Sequence, residues 1–413
     1  MHAASPSLPS EVALGLVSAE DRLSLLFDPG SAEFEGSDAL RLASGLVHGR
    51  PVLALADAGA SDPAALRQRA AFYRRAADEG SALVEFLDCP PLTGAAGVEG
   101  LAAMDACLTA RAAFKGRGLS ITALSGAALG PMALSAGLAD LVAMHRGAGF
   151  WSLGGADLAR RLGHEDDPQA AYGAADLHGA GTGLAAFAAA DDVRLVLELR
   201  RLLSLTRPRA AVLAGPDEAF TTLLPLDPFD GWDSVVLIAL VADEGESLAL
   251  WPEYGTALAC HLARIGGQPV GLLASNPAQN GGALDAAACR KARRFVEFLT
   301  GQGLPFVMLL DTPGSLPGQA EEAAGALAEA AELRRALTGL RQPPVALVLR
   351  RAQGIAALAL GLGDARTRLI AWPGARIGLG GGSEGPVAPR PTPQSQTKRA
   401  LIAALSGQDP LQR

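Results

Sequence analysis

Two pairs of short segments in this sequence combine residues that could bind a negatively charged oxygen through the backbone. In each half of the chain a loop follows a short apolar run, at residues 88–91 and 311–314, and a glycine turn, at Gly130 or Gly354, precedes a helical pattern. Glycine lets another group approach the backbone closely, and a helix N-terminus adds a positive potential. Two N–H groups that converge on one oxygen form an oxyanion hole, which stabilises a thioester enolate. The paired positions therefore predict such sites, whereas packing alone would explain any single glycine.

The same order of residues occurs twice along the chain. Residues 49–56 resemble residues 267–274 at an offset of 218. The later matches keep offsets of 223 and 224; they are Phe72, Gly80, Asp88 and Pro90 with Phe295, Gly303, Asp311 and Pro313, and residues 128–131 with 352–355. Each half also opens with an acidic segment that contains glycine, at residues 28–31 and 243–247. Because the matches keep their order, we interpret the chain as a duplication.

Strands and helices are predicted to alternate in each half. A short apolar strand follows a Gly-x-Pro-Val turn, and a helix is then predicted over residues 65–79 and 286–302. A buried strand over residues 83–88 and 306–311 leads into the loop. Strands that alternate with helices at this spacing predict an α/β fold.

Proline and glycine mark the predicted boundaries of the domains. We predict an N-terminal domain over residues 1–210, a linker over 211–232 and a C-terminal domain over 233–413. Residues 380–396 are rich in Gly, Pro, Ser and Gln and are predicted to form a mobile tail. A short closing helix is predicted near residues 398–405.

The composition limits the classes of protein that this chain can be. The 413 residues are 49% hydrophobic, which is enough to bury a large core, and the net charge of -8 disfavours a nucleic-acid-binding protein. Four cysteines without a C-x-x-C pair predict no zinc ribbon and no disulfide framework, and favour a cytoplasmic location. The N-terminus lacks the pattern of a signal peptide. The uncharged residues 120–139 predict a strand, a glycine turn and a helix of small residues rather than a membrane span.

The most specific motifs lie in the second half. They are residues 262–271 (LARIGGQPVG), 276–277 (NP), 282–285 (GALD), 291–296 (KARRFV), 311–318 (DTPGSLPG) and 371–377 (AWPGARI). Together they resemble the carboxyltransferase (β) subunits of biotin-dependent acyl-CoA carboxylases. In the first half, residues 173–178 and 182–187 resemble the motif that precedes the family's acidic pair, here Asp191 and Asp192. The resemblance covers most of the chain and is weaker in the first half.

The resemblance implies an α/β fold of two tandem crotonase-like domains, each a ββα superhelix. Acyl-CoA would bind the first domain and carboxybiotin the second domain of a partner subunit. Carboxybiotin would release carbon dioxide, the biotin nitrogen would remove the α-proton of the thioester, and the enolate would attack the carbon dioxide. The coenzyme A thioester and the biotin on a partner protein are substrates, so no covalently bound cofactor is implied.

The resemblance also implies partners. They are a biotin carboxylase and a biotin carrier protein, or decarboxylase subunits, and further copies of this chain in a homo-oligomer with active sites between subunits. Neither nucleic acid nor a membrane is implied.

Nine residues of this sequence match positions that function in the family. The expected catalytic residues of the biotin-side oxyanion hole are Pro313, Gly314, Gly354, Ile355 and Ala356. The family has a glycine where Ile355 stands, but the amide of isoleucine can still donate. The expected substrate-binding residues are Asp88, Gly130, Pro131 and Leu358, of which Leu358 lies where the family tunes the choice of acyl chain. No metal ligand is implied.

Three prolines in the first half depart from the family's pattern. Pro90 and Pro91 stand where the family has two glycines after the strand, and Pro131 replaces the second glycine of the helix turn. Proline has no backbone N–H. The thioester hole is therefore expected to lack a hydrogen bond, a loss that typically costs ~10²–10³ in rate.

The residues leave three functions open. A carboxyltransferase component ranks first, and a biotin-independent malonate decarboxylase that acts on a malonyl-thioester carrier comes second. The third is a catalytically inactive scaffold or regulatory paralogue, which the prolines favour. Hydratase or isomerase chemistry is disfavoured, because Leu134 and Leu358 stand where those enzymes place an acidic residue. The sequence contains no Met-Lys-Met biotin-attachment motif, so biotin must be carried by another chain.

Overall fold

The chain folds into two compact units, Met1–Ser204 and Leu205–Arg413. A computed structural model describes residues 15–58, 62–89, 97–163, 170–212, 214–225, 227, 230–380 and 391–408. The division falls shortly before the predicted domain end at residue 210. Phe220 and Trp232, from the predicted linker, are buried in the core of the second unit.

The first unit is one sheet with helices packed against it. Its elements are α1 Ala19–Leu26, β1 Glu33–Gly36, β2 Leu40–Val47, β3 Arg50–Asp57, α2 Pro63–Glu79, β4 Ala82–Cys89, α3 Gly97–Ala113, β5 Ser120–Leu129, α4 Pro131–Gly137, β6 Leu141–His145, β7 Phe150–Ser152, α5 Ala156–Arg161, α6 Ala170–Gly173, a π-helix Leu177–Gly181, β8 Phe187–Ala189 and α7 Asp192–Leu205. The strand order is β1-β2-β3-β4-β5-β6-β8, and β7 also pairs with β5. Strands β1 to β3 are antiparallel, and the pairs from β3 onward are parallel.

The second unit repeats this arrangement. Its elements are a 3₁₀ turn Glu218–Thr221, α8 Ser234–Val241, β9 Ser247–Leu250, β10 Leu258–Ile265, β11 Gln268–Ser275, a 3₁₀ turn Asn280–Gly282, α9 Ala286–Gln302, β12 Phe306–Thr312, α10 Gln319–Ala323, α11 Ala326–Ala336, a 3₁₀ turn Leu337–Gly339, β13 Val345–Gln353, α12 Gly354–Ala359, β14 Arg368–Ala371, β15 Arg376–Gly378, a 3₁₀ turn Gln394–Gln396 and α13 Thr397–Leu405. The strand order is β9-β10-β11-β12-β13-β14, and β15 also pairs with β13. The predicted α/β class is confirmed, and both sheets place an antiparallel hairpin beside parallel strands.

The first long helix of each unit begins and ends at matching residues. The carboxylate of Asp62 accepts the Ala65 N–H at 2.7 Å, and that of Asp285 accepts the Ala288 N–H at 2.6 Å. Each is an N-cap that satisfies a free amide of the first turn. Because Asp62 caps the helix and proline is tolerated in the first turn, α2 starts two residues before the predicted residue 65. Both helices end at a left-handed glycine, Gly80 or Gly303.

A carboxylate holds the turn of the antiparallel hairpin in each unit. Asp28 accepts the amides of His48 and Gly49 at 3.0 and 2.9 Å. Asp243 accepts the amides of Gly266 and Gly267 at 3.0 and 2.7 Å. The acidic segments at residues 28–31 and 243–247 therefore both stabilise the turn of the hairpin.

The cores consist mainly of aliphatic side chains on the faces of the sheets. Phe86 and Phe114 are buried in the first unit, and Trp372 and Phe295 in the second. Among the described residues, no helix has both the length and the apolar character needed to cross a membrane. The residues predicted at 120–139 form β5, the glycine turn and α4, as the sequence indicates.

Candidate active site

Two backbone segments meet at the ends of parallel strands in the second unit. Strand β12 ends at Thr312, which pairs with Ala352 near the end of β13. A Cβ atom added to Gly354 would lie 4.0 Å from the Cα of Gly314. The loop and the turn expected to form an oxyanion hole are therefore adjacent, and both glycines have a positive φ, 136° at Gly314 and 61° at Gly354.

The backbone N–H groups of these segments differ in whether they already donate a hydrogen bond. Pro313 has no N–H, and the Gly314 N–H donates to the Thr312 hydroxyl at 3.3 Å. That distance is long for an N–H···O bond. A bound oxyanion would therefore compete with the hydroxyl for this amide. Ile355 and Ala356 lie in the first turn of α12, where backbone N–H groups have no partner within the helix.

An apolar cavity adjoins this turn. Its volume is about 310 Å³. The residues that line it include Leu327, Ala330, Ile355, Leu358, Arg334 and Asp364. Ile355 and Leu358 are 51% and 48% exposed although both are large and apolar. The structure thus brings together two of the residues that the sequence singles out.

An ion pair borders the cavity. The Arg334 guanidinium lies 3.3 Å from the Asp364 carboxylate. The Arg366 backbone N–H and the Arg334 side chain lower the pKa of Asp364. The carboxylate therefore stays ionised at neutral pH, and the cavity combines an apolar wall with a charged edge.

The matching turn of the first unit lacks one backbone donor. The Gly130 N–H donates to the Ser152 carbonyl at 3.1 Å, and Pro131, the first residue of α4, has none. The φ of Gly130 is 54°, close to that of Gly354, so the two turns have a similar φ but different donors. Pro90 and Pro91 lie outside the described residues.

Asp88 is exposed, and its carboxylate bonds a backbone amide. Its carboxylate accepts the Ala127 N–H at 3.2 Å, and its own N–H donates to Asp57 at 3.1 Å. A Cβ atom added to Gly126 would lie 1.9 Å from the Asp88 carboxylate oxygen. Glycine at 126 is therefore required for this contact.

Asp311 is the counterpart of Asp88 in the second unit and is buried. One carboxylate oxygen accepts from Arg350 Nε at 2.7 Å and from Trp232 Nε1 at 2.9 Å. The other oxygen lies 3.4 Å from Arg351 Nε. Asp311 stands in one of the specific sequence motifs, but its contacts with the two arginines were not predicted. The Arg350-Arg351 pair inside an apolar strand was the available signal.

A buried ionic cluster in the first unit was also missed. Arg69 pairs with Asp57 and Glu85, Arg111 lies 3.6 Å from Glu85, and the Tyr73 hydroxyl donates to Glu85 at 2.6 Å. Burial alone would raise the pKa of Glu85, but the two guanidinium groups hold it below its usual value. Burial raises the pKa of Asp57. A glutamate inside the apolar run of β4 was the available signal.

The described residues offer no metal centre. Among the described ranges, no group of three or more His, Cys, Asp and Glu side chains could hold a metal ion.

Comparison with known proteins places the chain in a family. Residues 21–386 match the family described as Carboxyl transferase domain. The chain is 27% identical to the methylmalonyl-CoA carboxyltransferase 12S subunit of Propionibacterium freudenreichii subsp. shermanii, over 89% of this chain and 76% of that protein. It is 31% identical to the biotin-dependent acetyl-/propionyl-coenzyme A carboxylase beta5 subunit of Mycobacterium tuberculosis, over 64% of this chain and 51% of that protein. The second match thus spans about half of that relative's length.

Solved structures give the same result. The transcarboxylase 12S structure with methylmalonyl-coenzyme A and methylmalonic acid bound matches with a TM-score of 0.84 and 26% identity, over 98% of this chain and 88% of that one. A single-chain, multi-domain long-chain acyl-CoA carboxylase matches in fold with a TM-score of 0.79 and 24% identity, over 94% of this chain and 43% of that one. The predicted pair of crotonase-like domains is confirmed. The chain belongs to the carboxyl transferase domain family, whose matched members include carboxyltransferase and acyl-CoA carboxylase β subunits.

Proposed function

We propose that this chain is a carboxyltransferase component that moves a carboxyl group between biotin on a partner protein and the α-carbon of an acyl-CoA. The observation that carries the proposal is the adjacency of Gly314 and Gly354 in the second unit. It brings two backbone segments to one place, as an oxyanion hole requires. The family match supports the same chemistry.

The second unit is proposed to hold the biotin side. The amides of Gly314, Ile355 and Ala356 would donate to the ureido oxygen as negative charge develops there. Such charge forms when carbon dioxide leaves the carboxybiotin nitrogen and the bonding electrons pass into the ureido group. That nitrogen then takes the α-proton of the thioester, and the enolate carbon bonds to the carbon dioxide. This chain would supply positioning and electrostatic stabilisation without a side-chain base.

The apolar cavity is proposed to contribute to substrate choice. Leu358 and Ile355 present apolar surface, which favours an alkyl group over a charged one. Each buried methylene is worth about 0.8 kcal/mol. The preference among acyl groups is therefore expected to be graded rather than absolute.

The chain is proposed to act as a homo-oligomer whose active sites form between subunits, together with a biotin carrier protein. One matched relative is described as a hexamer assembly and as a multienzyme core. Light scattering at working concentration tests this arrangement, and a monodisperse monomer would argue against it.

A catalytically inactive scaffold is the second candidate. The observation that favours it is the first-unit turn, in which the Gly130 N–H is bonded to Ser152 and Pro131 has none to give. Under this alternative the second unit would bind biotinylated protein without turnover.

An exchange assay separates the two candidates. The purified chain is mixed with carboxybiotin and with acetyl-, propionyl- or malonyl-CoA, and transfer of labelled carboxyl groups is followed. The carboxyltransferase proposal expects transfer to at least one acyl-CoA and saturation with both substrates. Binding without transfer to any of the three would support the scaffold instead.

A further inference from the structure

Both units interrupt the pairing of two strands at the same place. In the first unit Leu87 pairs with Leu124 but Cys89 pairs with Ala128, so β5 carries two extra residues opposite Asp88. In the second unit Leu310 pairs with Val348 but Thr312 pairs with Ala352, so β13 carries two extra residues opposite Asp311. The extra residues bend the longer strand, a feature often found beside active sites.

An aspartate fastens the irregular segment in each unit, by different means. Asp88 accepts the backbone N–H of Ala127 at 3.2 Å, next to Gly126, which has no side chain. Asp311 instead bonds the side chain of Arg350 at 2.7 Å and lies 3.4 Å from that of Arg351. The recurrence of the contact in two sequences that have diverged indicates that the aspartate belongs to the architecture of the turn.

The two arginines extend the attachment of Asp311 to surrounding backbone. Arg350 donates to the carbonyls of Asp227 and Asp230 at 3.3 and 3.1 Å, and Arg351 donates to the Gly281 carbonyl at 3.2 Å. The Asp311 side chain has no solvent exposure. Breaking one partner of a buried ion pair leaves an uncompensated charge, so the arrangement is costly to disturb.

The sequence positions connect this network to the proposed oxyanion hole. Asp311 stands two residues before Pro313, and Arg351 stands three residues before Gly354. We propose that Asp311 is a positioning residue, whose carboxylate fixes the end of β12 against the irregular end of β13 and so keeps the amides of the loop and of the α12 turn converged. The proposal rests on the proposed function of this site, because positioning matters only if those amides bind substrate.

Hydrogen exchange measures the positioning directly. Peptides that cover residues 312–316 and 353–357 are compared in the full chain and in Asp311→Ala and Asp311→Asn, by deuterium uptake and mass spectrometry. We expect exchange at both segments to rise ~10-fold or more in Asp311→Ala and less in Asp311→Asn, which keeps one oxygen for Arg350 and Trp232. If Asp311→Ala does not fold, the asparagine variant decides alone.

Asp243→Asn is the matched control. Asp243 is also a buried carboxylate, and it lies 3.0 Å from Lys398 Nζ. It holds the turn that precedes β11, at the opposite end of the sheet from the loop after β12. The control is expected to lower the thermal midpoint while exchange at the two segments stays at the wild-type level.

Enzyme kinetics distinguish a positioning role of Asp311 from a purely structural one. Asp311→Asn is expected to lower kcat for carboxyl exchange ~10-fold and to change KM for the acyl-CoA by a smaller factor, because only the acyl group of that substrate would reach the second-unit cavity. The positioning role would be overturned if hydrogen exchange at residues 312–316 and 353–357 were unchanged in the folded Asp311 variants. An equal rise in hydrogen exchange in Asp243→Asn would overturn it as well. A wild-type chain without carboxyl transfer would instead refute the proposed function. The hydrogen-exchange data would still show whether Asp311 positions the two segments.

Discussion

The two units share a backbone plan and differ at the turn where each would meet a substrate. In the second unit the turn runs from Gly354 into Ile355, whose amide lies in the first turn of α12. In the first unit the Gly130 amide is bonded to Ser152 and the next residue is Pro131. The two copies of this fold therefore differ by one backbone donor, which Ile355 has and Pro131 lacks.

The aspartates also differ between the two units. Asp88 is held by a backbone amide beside a glycine, whereas Asp311 is buried among two arginines and a tryptophan. The second unit, which has the Ile355 N–H that Pro131 lacks, also holds its strand ends through more side chains. Substitutions at matched positions can therefore measure what each unit contributes to the reaction.

Ile355→Pro is expected to have the largest effect. It removes one amide hydrogen and copies the first-unit turn, in which a glycine of φ 54° precedes proline. The φ of Gly354 is 61°, similar to that of Gly130, and the first turn of a helix tolerates proline. The rate of carboxyl exchange should fall ~10²–10³-fold.

Ile355→Ala is the control for that variant, because it shortens the side chain and keeps the N–H. Its rate should stay at least ~10-fold above that of the proline variant, because only the apolar contact of the side chain is shortened. Equal rates for the proline and alanine variants would show that this amide makes no contact in the reaction.

Pro131→Gly tests the opposite change in the first unit. It restores an N–H to the turn, and Pro131→Ala does the same without the flexibility of glycine. Either variant should tighten acyl-CoA binding or raise kcat/KM by ~10-fold, as followed by calorimetry and exchange kinetics. If neither measurement moves in the folded variants, Pro131 does not lie at a thioester site.

Thr312→Val tests whether the Thr312 hydroxyl weakens the binding of an oxyanion to the Gly314 N–H. The Thr312 hydroxyl accepts the Gly314 N–H at 3.3 Å, so it would compete with an oxyanion bound at the proposed site. Its removal should raise the exchange rate ~2–5-fold, since a net hydrogen bond is worth roughly 1 kcal/mol. Thr312→Ser keeps the hydroxyl and should match the wild type; a valine variant slower than the serine variant would contradict the competition.

The repeated helix caps should show the smallest difference between the units. Asp62→Ala and Asp285→Ala each remove a carboxylate that bonds the first turn of a helix. Each should lower the free energy of unfolding by about 1 kcal/mol, measured by urea denaturation. The rate of carboxyl exchange should stay unchanged. The matched asparagine variants should retain most of the stability, and a large difference between the two caps would limit the equivalence of the units.

Local patterns in the sequence were enough to predict much of the frame. The paired Asp, Gly and Pro positions predicted the ends of β4 and β12, the helices that begin near residues 65 and 286, and the glycine turns. Apolar periodicity and turn chemistry act over a few residues, so they can be read directly.

Contacts between distant residues were not predicted. The bond from Gly130 to Ser152 depends on the pairing of β7 with β5, and the bond from Asp311 to Arg350 depends on two extra residues in β13. Strand register and irregular pairing follow from tertiary packing, which local propensity does not encode. The hydroxyl of Thr312 beside Gly314 was likewise visible only in the fold.

The amide of Ile355 is proposed to donate a hydrogen bond to the ureido oxygen of biotin. Infrared difference spectra of biotin labelled at its ureido carbonyl test this directly, with the substrate bound to Ile355→Ala and to Ile355→Pro. Hydrogen bonding weakens a carbonyl bond, so the account predicts a lower stretching frequency in the alanine variant, which keeps the N–H, than in the proline variant. The same frequency in both variants, with biotin bound to each, would contradict the account.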